Sequence, residues 1–304
     1  MKKIFAFTLI LGFVFASCQK DDVTATDYIT ETTVHADDQS RFSEETDAVA
    51  NDANLVLEAS AGFTGRTESI QSICDATVVV DTTSNPRTIT ITYNGTNCLG
   101  NRTRTGVVII SMPAASRWRN PGATLTVTFQ NLKITRVRDN KSITINGTQL
   151  YTNVTGGLLF NLAALGTITH TITSNNMSVT FDNGTQRTWQ VARRRVFTFN
   201  SGIVITTTGT HSEGGVTGIA EWGTNRFGNS FTTVISQPLI IKQDCSFRLV
   251  SGKVDLHTSL YNAVVTFGLD STGNPITCPV TGSYYLKIVW TGPSGIIRTV
   301  ILPY

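Results

Sequence analysis

Charged side chains are scarce in this chain of 304 residues, at 15% of the total, and it contains only four histidines. Those histidines (His35, His170, His211 and His257) do not stand at metal-ligand spacing from one another. The sequence also lacks Cys-x-x-Cys, Gly-x-Ser-x-Gly and glycine-rich phosphate-loop motifs. These absences argue against a zinc site, an α/β-hydrolase nucleophile and a nucleotide site. We therefore expect neither a metal nor a cofactor.

A long apolar run is also missing. The longest uncharged one, residues 4–15, is shorter than the roughly 20 residues that a membrane-spanning helix needs. Lys2 and Lys3 precede this run, and the small residues Ala16 and Ser17 follow it. This order is typical of a secretory signal, so we expect residues 1–17 to be a signal peptide that is removed.

The residues that follow the apolar run carry a resemblance to a known class. Phe15-Ala16-Ser17-Cys18 resembles a bacterial lipobox, and Gln19-Lys20-Asp21-Asp22 resembles the signal that sends lipoproteins of Bacteroidota to the cell surface. The resemblance implies acylation at Cys18 and lipid anchoring in the outer membrane, at the cell surface. Several acyl chains on one residue give durable anchoring. The alternative is a plain signal peptide with an incidental cysteine.

Charge is divided unevenly along the mature chain. Residues 18–60 contain two basic and eleven acidic residues, a net charge of −9, whereas residues 61–304 contain twenty basic and ten acidic residues, a net of +10. A basic body favours anionic partners such as acidic glycans or lipopolysaccharide. The alternative is that the positive charges are spread evenly and keep the body soluble.

The acidic segment has two parts. Residues 18–36 are polar without a clear period, and we interpret them as a flexible acidic tether. Residues 37–60 predict an amphipathic helix, because Phe42, Val49, Ala53 and Val56 recur at helical spacing. Its apolar stripe is expected to dock on the body.

Residues 61–304 read as a Thr-rich β body. The stretches 88–93, 124–129, 142–145 and 167–172 alternate between apolar residues and Thr, as half-buried strands do. Turn signals separate the runs and leave no room for crossover helices. We therefore predict an all-β fold of about fifteen or more strands, with antiparallel sheets folded as a sandwich or half-barrel after one short N-terminal amphipathic helix.

Four cysteines remain once Cys18 is set aside, and an even number in an exported chain predicts two disulfides. Three pairings are possible, and we expect the local ones, Cys74–Cys98 and Cys245–Cys278. Each pair brackets a strand, a turn and a second strand. Residues 70–150 and 240–304 therefore look like two related cysteine-stapled units around a middle β segment, although any stapled hairpin would look similar.

The body as a whole resembles a large group of uncharacterised Bacteroidota lipoproteins. The residues that carry this resemblance are the cysteine-flanked strands, Arg102-Thr103-Arg104-Thr105-Gly106, Arg187-Thr188-Trp189, and the stretch from Leu239 through Cys245 to Ser251-Gly252. The resemblance implies a location in the cell envelope and a fold, but no activity.

Catalytic candidates are few. His211-Ser212-Glu213 combines imidazole, hydroxyl and acid, but neighbours on a strand point to opposite faces and do not form a triad. A glycosidase needs two facing carboxylates, and Asp182, Glu213 and Glu221 are the interior candidates. A lone strand Glu such as Glu221 is more often solvated, so we expect no enzyme.

Two groups of residues are candidates for ligand binding. Arg193 and Arg195 share one face of a strand, and Arg117-Trp118-Arg119 places a ring between two cations. Such groups stack on sugars and contact anions. The alternative for both groups is an exposed cationic edge that blocks strand-to-strand aggregation.

Together these features predict a surface lipoprotein that acts as a non-enzymatic binding or structural module of the cell envelope. The expected partners are the membrane, through the anchor, with acidic glycans or envelope proteins. Nucleic acid is not expected. The alternatives are acidic glycan or lipopolysaccharide capture by the basic body, and a glycan-directed hydrolase.

Overall fold

The computed structural model describes residues 25–64, 73–278, 282–292 and 295–304. Over these ranges the protein is all-β and antiparallel, as the alternation predicts, with one long helix before the strands. The helices are α1 (Ala25–Ala59), α2 (Ala61–Thr64) and α3 (Leu162–Leu165). The strands are β1 (Ala76–Asp81), β2 (Arg87–Thr96), β3 (Arg102–Met112), β4 (Ala123–Arg136), β5 (Ser142–Asn153), β6 (Thr167–Phe181), β7 (Gln186–Phe199), β8 (Ile203–Gly209), β9 (His211–Glu213), β10 (Val216–Thr224), β11 (Ser230–Lys242), β12 (Arg248–Thr258), β13 (Asn262–Leu269), β14 (Tyr285–Thr291) and β15 (Ile297–Pro303).

These fifteen strands form one sheet in which almost every strand pairs with its neighbours in sequence. The order runs from β1 to β7, continues through β10 and ends at β15, with β8 pairing to both β7 and β11. A tight turn at Asp182-Asn183-Gly184 joins β6 to β7, where the Phe181 N–H donates to the Thr185 carbonyl at 2.9 Å. Chain-order pairing follows from the short turns, which leave antiparallel hairpins as the accessible connection.

Register shifts bend the long strands where glycine allows it. Gly106 has φ +115° and lies at the register shift between β3 and β4, which falls between Thr105 and Val107. A Cβ at this position would collide with the Asn131 carbonyl, so only glycine fits. Such bulges increase the local twist, which lets a sheet of this size curl.

The sheet folds around α1, which separates two apolar cores. The larger core joins Phe42, Val49 and Val56 of the helix to β1–β7. The smaller core joins Ala36 to β8 and β11–β15. The helix is therefore a central element with sheet on both sides, and not a segment docked on the outside of a finished body.

The helix begins earlier than the sequence predicted. It starts at Ala25, so residues 25–36, which we assigned to the tether, are helical; residues 18–24 and the anchor residue Cys18 lie outside the described residues. The nine consecutive residues from His35 to Ser43 are all buried, which closes every side of the helix over more than two turns. This corrects the expected single docking stripe, because an amphipathic helix on a surface would leave one face in water.

Both expected disulfides are present. Cys74–Cys98 has a Cα–Cα distance of 5.4 Å and closes the open end of the β1–β2 hairpin. Cys245–Cys278 has a Cα–Cα distance of 5.3 Å and brackets the β12–β13 hairpin. Each disulfide thus joins the segment before a hairpin to the segment after it, but Cys98 follows the end of β2 closely, whereas Cys278 lies farther beyond the end of β13. The relation between the two units stays a prediction.

Candidate functional site

The inner face of the sheet presents arginines to the acidic residues of α1. Four strands or turns contribute: Arg102 meets Glu44 and Glu45, Arg136 meets Asp37, Arg193 meets Asp47, and Arg226 meets Asp38. The opposite charges of residues 18–60 and 61–304 therefore neutralise each other inside the protein. Much of the basic character that the sequence suggested for an outside partner is directed at the protein's own helix.

Glu221 of β10 is the centre of the most buried part of this network. Its carboxylate accepts a hydrogen bond from Trp189 Nε1 at 2.7 Å, and it also accepts from the Ser43 hydroxyl and from Arg193. Glu221 has no exposed surface, which corrects the expectation of a solvated strand carboxylate. Its pairing with Arg193 compensates for the desolvation of both groups.

A second network lies near the first disulfide. Arg104 donates to both carboxylate oxygens of Asp75, each at 2.7 Å, and to Asp52 of α1 at 2.9 Å. The Tyr93 hydroxyl also donates to Asp52, at 2.9 Å. Burial raises the pKa of Asp52, and Arg104 opposes that rise. Arg104 of β3 thus makes a bidentate contact, the stronger geometry for an arginine, with Asp75 in the segment before β1. A single hydrogen bond to Asp52 joins the same arginine to α1.

Two histidines lie in the apolar interior. The His35 ring packs between Trp189 and Phe231, with centroid distances of 5.9 and 4.8 Å, and neither ring nitrogen has a hydrogen-bond partner among the described residues. Burial lowers the pKa of His35 to about 3. Burial, together with the nearby Arg195, lowers the pKa of His170 to about 3. Both rings are therefore neutral at physiological pH, and His170 packs against Trp118 and Phe197 as part of the interior.

The residues predicted to bind a ligand are mostly inside the protein. Arg193 and Arg195 share a face, as predicted, but that face points at α1, and their exposed fractions are 2% and 1%. Trp118 has no exposed surface, and its ring contacts His170. These positions correct the expected exposed cationic edge and exposed aromatic loop. Arg119 is exposed and Arg117 is half-buried, so solvent reaches the charged side chains of this loop but not the Trp118 ring.

The catalytic candidates are each engaged elsewhere. Asp182 accepts from Arg226 at 2.8 Å, and Glu221 is enclosed by its own partners. His211 stacks on Trp222 with a centroid distance of 4.0 Å, and Glu213 lies 3.6 Å from it at the exposed end of β9. The structure therefore does not bring these three carboxylates together as a facing pair around one open cleft.

The feature that sequence reasoning missed is a groove along α1, which we call the helix groove. The half-buried residues of the second half of α1 lie on one side of the helix, as their spacing requires, and are Glu44, Ala48, Asn51, Asp52, Leu55, Glu58 and Ala59. Three adjoining cavities of about 230, 270 and 680 Å³ lie along this side. The largest falls within the size range of small-molecule sites.

The two walls of the helix groove differ in chemistry. One wall, from the β2–β3 region, is polar and includes Asn97, Asn101, Arg102 and Arg104. The facing wall, from β8, β11 and β12, is mainly apolar, and its apolar members are Ile203, Ile205, Leu239, Ile241, Phe247 and Leu249. Gln243, Ser246 and Arg248 of the same segment also line it. At the mouth, Leu99 and Phe247 are both exposed. An elongated site with one polar and one apolar wall suits an amphipathic ligand.

Potential metal ligands within the described ranges converge at one place. Asp244, Cys245 and Cys278 offer atoms within 4.8 Å of one another, but the two sulfurs are joined in the disulfide and are not available as thiolates. None of the helices in the described part of the chain is both long and apolar enough to cross a membrane. The chain matches no protein-family model, no curated protein and no solved structure.

The sequence held one unrecognised signal for the groove. The charges of α1 recur at Glu44, Asp52 and Glu58, with Ala48 and Leu55 between them, and this is the stripe that becomes the groove floor. The walls come from segments more than a hundred residues apart, and no local pattern connects them.

Proposed function

We propose that the protein is a non-enzymatic binding module of the cell envelope, anchored through acylated Cys18 at the surface of the outer membrane. The anchor and address rest on the resemblance of residues 15–22 to a lipobox and a surface-export signal. The binding role rests on one structural observation, the helix groove. It is an open site with apolar residues at its mouth in a body whose carboxylates are largely committed to ion pairs.

The groove supports binding better than catalysis. A hydrolase needs an acid and a base that reach the same bond. The two carboxylates of the largest cavity are already bonded, Asp52 to Arg104 and Glu58 to the backbone N–H groups of Leu159 and Phe160. Their roles in the fold leave the groove without a free catalytic pair among the residues that line it.

Acidic glycan capture by an exposed basic face has less support. Arg193 and Arg195, which were to form that face, are covered by α1. The outward-facing Arg194 and Arg119 remain candidates for weak contact with anionic envelope components.

Photo-crosslinking in living cells tests the binding role. A photoreactive phenylalanine analogue replaces Leu99 or Phe247 at the mouth of the helix groove, and Val79, which is exposed on β1 and lines none of the three cavities, serves as the control. We expect adducts from both groove positions that Val79 does not give. Identical patterns from all three positions would contradict a binding role for the groove.

A further inference from the structure

The helix groove is long and narrow. Its floor advances along α1 from Arg41 in the first cavity to Ala59 in the third, a rise of about 27 Å at the helical pitch. One acyl chain occupies about 15 Å, half of a bilayer's hydrocarbon core. The groove is therefore long enough for one extended chain together with a polar head.

One end of the groove is rich in guanidinium groups. The first cavity is lined by Arg41, Arg102, Arg136 and Arg138 against Glu44 and Glu45. Arg102 and Arg136 are held in short ion pairs, with Glu45 and with Asp37. The other two arginines are less fully paired.

Arg41 and Arg138 have donor capacity to spare. Arg41 Nε and Nη1 are buried without a hydrogen-bond partner among the described residues, and the side chain is only 7% exposed. Arg138 is 3.8 Å from its nearest oxygen on Asp37 and 3.9 Å from Asp139, both longer than a hydrogen bond. The unused donors of Arg41 are buried and call for an acceptor, whereas the Arg138 side chain is 32% exposed and can reach a ligand from the solvent side. An anionic acceptor fits two guanidinium groups best.

The opposite end of the groove is apolar. The third cavity is lined by Leu55, Phe197, Ile203, Ile205 and Phe247, and the acids within it are neutralised or hydrogen-bonded, as described above. Phe247 follows Ser246 in a left-handed backbone conformation, with φ values of 55° and 58°. Bulky residues rarely adopt this conformation, and it holds a large ring at the mouth of a cavity.

We propose that the helix groove binds a single-chain amphiphile with an anionic head, with the head at Arg41 and Arg138 and the chain along Leu55, Ile205 and Phe247. The polarity gradient selects such a molecule, because a neutral head would leave the buried donors unmatched and a short anion would leave the apolar end empty. This inference rests on the binding function proposed above and names its ligand class.

A displacement assay tests the proposal. The protein comprises residues 18–304 with C18S, so that every described residue is kept and no anchor of its own competes. Dansyl-undecanoic acid is the fluorescent probe, and palmitate, hexadecanol and hexadecyltrimethylammonium are the competitors with equal chains. We expect palmitate to displace the probe at a concentration about tenfold lower than hexadecanol does, with the cationic competitor weakest.

Matched variants locate the two ends. R138Q is expected to weaken palmitate about fivefold and leave hexadecanol unchanged, whereas R194Q, on the outer face of β7, changes neither. F247S is expected to weaken both competitors, and F227S, an equally exposed phenylalanine outside the three cavities, weakens neither.

Each other outcome has a defined meaning. Equal competition by palmitate and hexadecanol, or no effect of R138Q, overturns the anionic head. No binding of the probe, while Leu99 and Phe247 still give crosslinks in cells, overturns the ligand class and leaves the binding role in place. No binding and no specific crosslinks overturn both proposals.

Discussion

We predict that the protein loses stability in mild acid because two buried histidines resist protonation. The folded-state pKa of His35 and of His170 is lowered to about 3 by burial, whereas an unfolded chain protonates imidazole near 6.5. A lowered folded pKa gives stability that is complete above pH 6.5 and is lost as the pH falls toward 3. Stability falls as the pH falls in this range because the unfolded state binds more protons than the folded state does.

The size of the effect follows from linkage. At pH 5 each histidine costs about 2 kcal/mol of unfolding free energy relative to neutral pH, and the pair costs about 4 kcal/mol. A domain typically has about 5–15 kcal/mol in total, so the loss is a large fraction of it. Carboxyl groups contribute to the pH dependence as well. Burial raises the pKa of Glu45, for example, so its contribution to the unfolding free energy falls as the pH rises, opposite to that of the histidines.

Single-residue variants separate the contribution of the histidines to the pH dependence of stability from that of the carboxyl groups. In H35L an apolar side chain replaces an imidazole whose nitrogens have no hydrogen-bond partner among the described residues. We expect H35L to remove about half of the loss between pH 7.5 and pH 5, measured by urea unfolding at each pH. H257L, at an exposed position on β12, is the control and should keep the full slope. A slope in H35L equal to that of the unmodified protein would refute the reasoning.

Three further predictions concern the buried pair, the first staple and the anchor. R193M should lower the free energy of unfolding by about 3–5 kcal/mol, because Glu221 is left buried and unpaired. The double variant R193M/E221Q keeps an acceptor for Trp189 and should regain at least half of the lost stability in the same urea assay. The double variant C74A/C98A should lose about 3.5 kcal/mol in thermal or urea unfolding through the opened loop, whose ends are 24 residues apart; an unchanged midpoint would contradict a stabilising staple. C18S should abolish labelling by radioactive palmitate and release the protein from the membrane fraction; label retained in C18S would show that the acylated residue is another one.

Much of the fold could be predicted from local pattern. The alternation at residues 88–93 lies within β2, where Ile89, Ile91 and Tyr93 are buried while their neighbours are not. Antiparallel pairing followed from the short turns, and the disulfides followed from the position of each cysteine beside a hairpin. These properties depend on residues close in sequence, which a linear reading can detect.

The helix and the site could not be predicted in the same way. Residues 25–36 show no apolar period, and most of residues 28–34 are only half-buried. From His35 to Ser43 the helix is enclosed on all sides and several of its contacts are ion pairs, as at Asp37 and Asp38, so no single apolar stripe marks it. Alternation put Arg193 and Arg195 on one face but gave no reason to turn that face inward, since arginine is almost never fully buried unless it is paired. The paired residues are Asp47 and Asn51, about 145 residues earlier in the chain.

The central position of α1 constrains the order in which this protein can fold. The helix precedes every strand, yet its ion pairs reach across the whole chain; the contact from Arg226 to Asp38 spans 188 residues. Because a chain is made from its N-terminus, the innermost element of this fold is complete before any of the strands that enclose it. Strands β3, β4 and β7 supply Arg102, Arg136 and Arg193 to the acidic helix. Its contacts with Glu221 and Arg226 form only after β10 and the turn that follows it have emerged. Such non-local closure makes folding slow, so the newly synthesised chain spends a long time open to chaperones, proteases and aggregation.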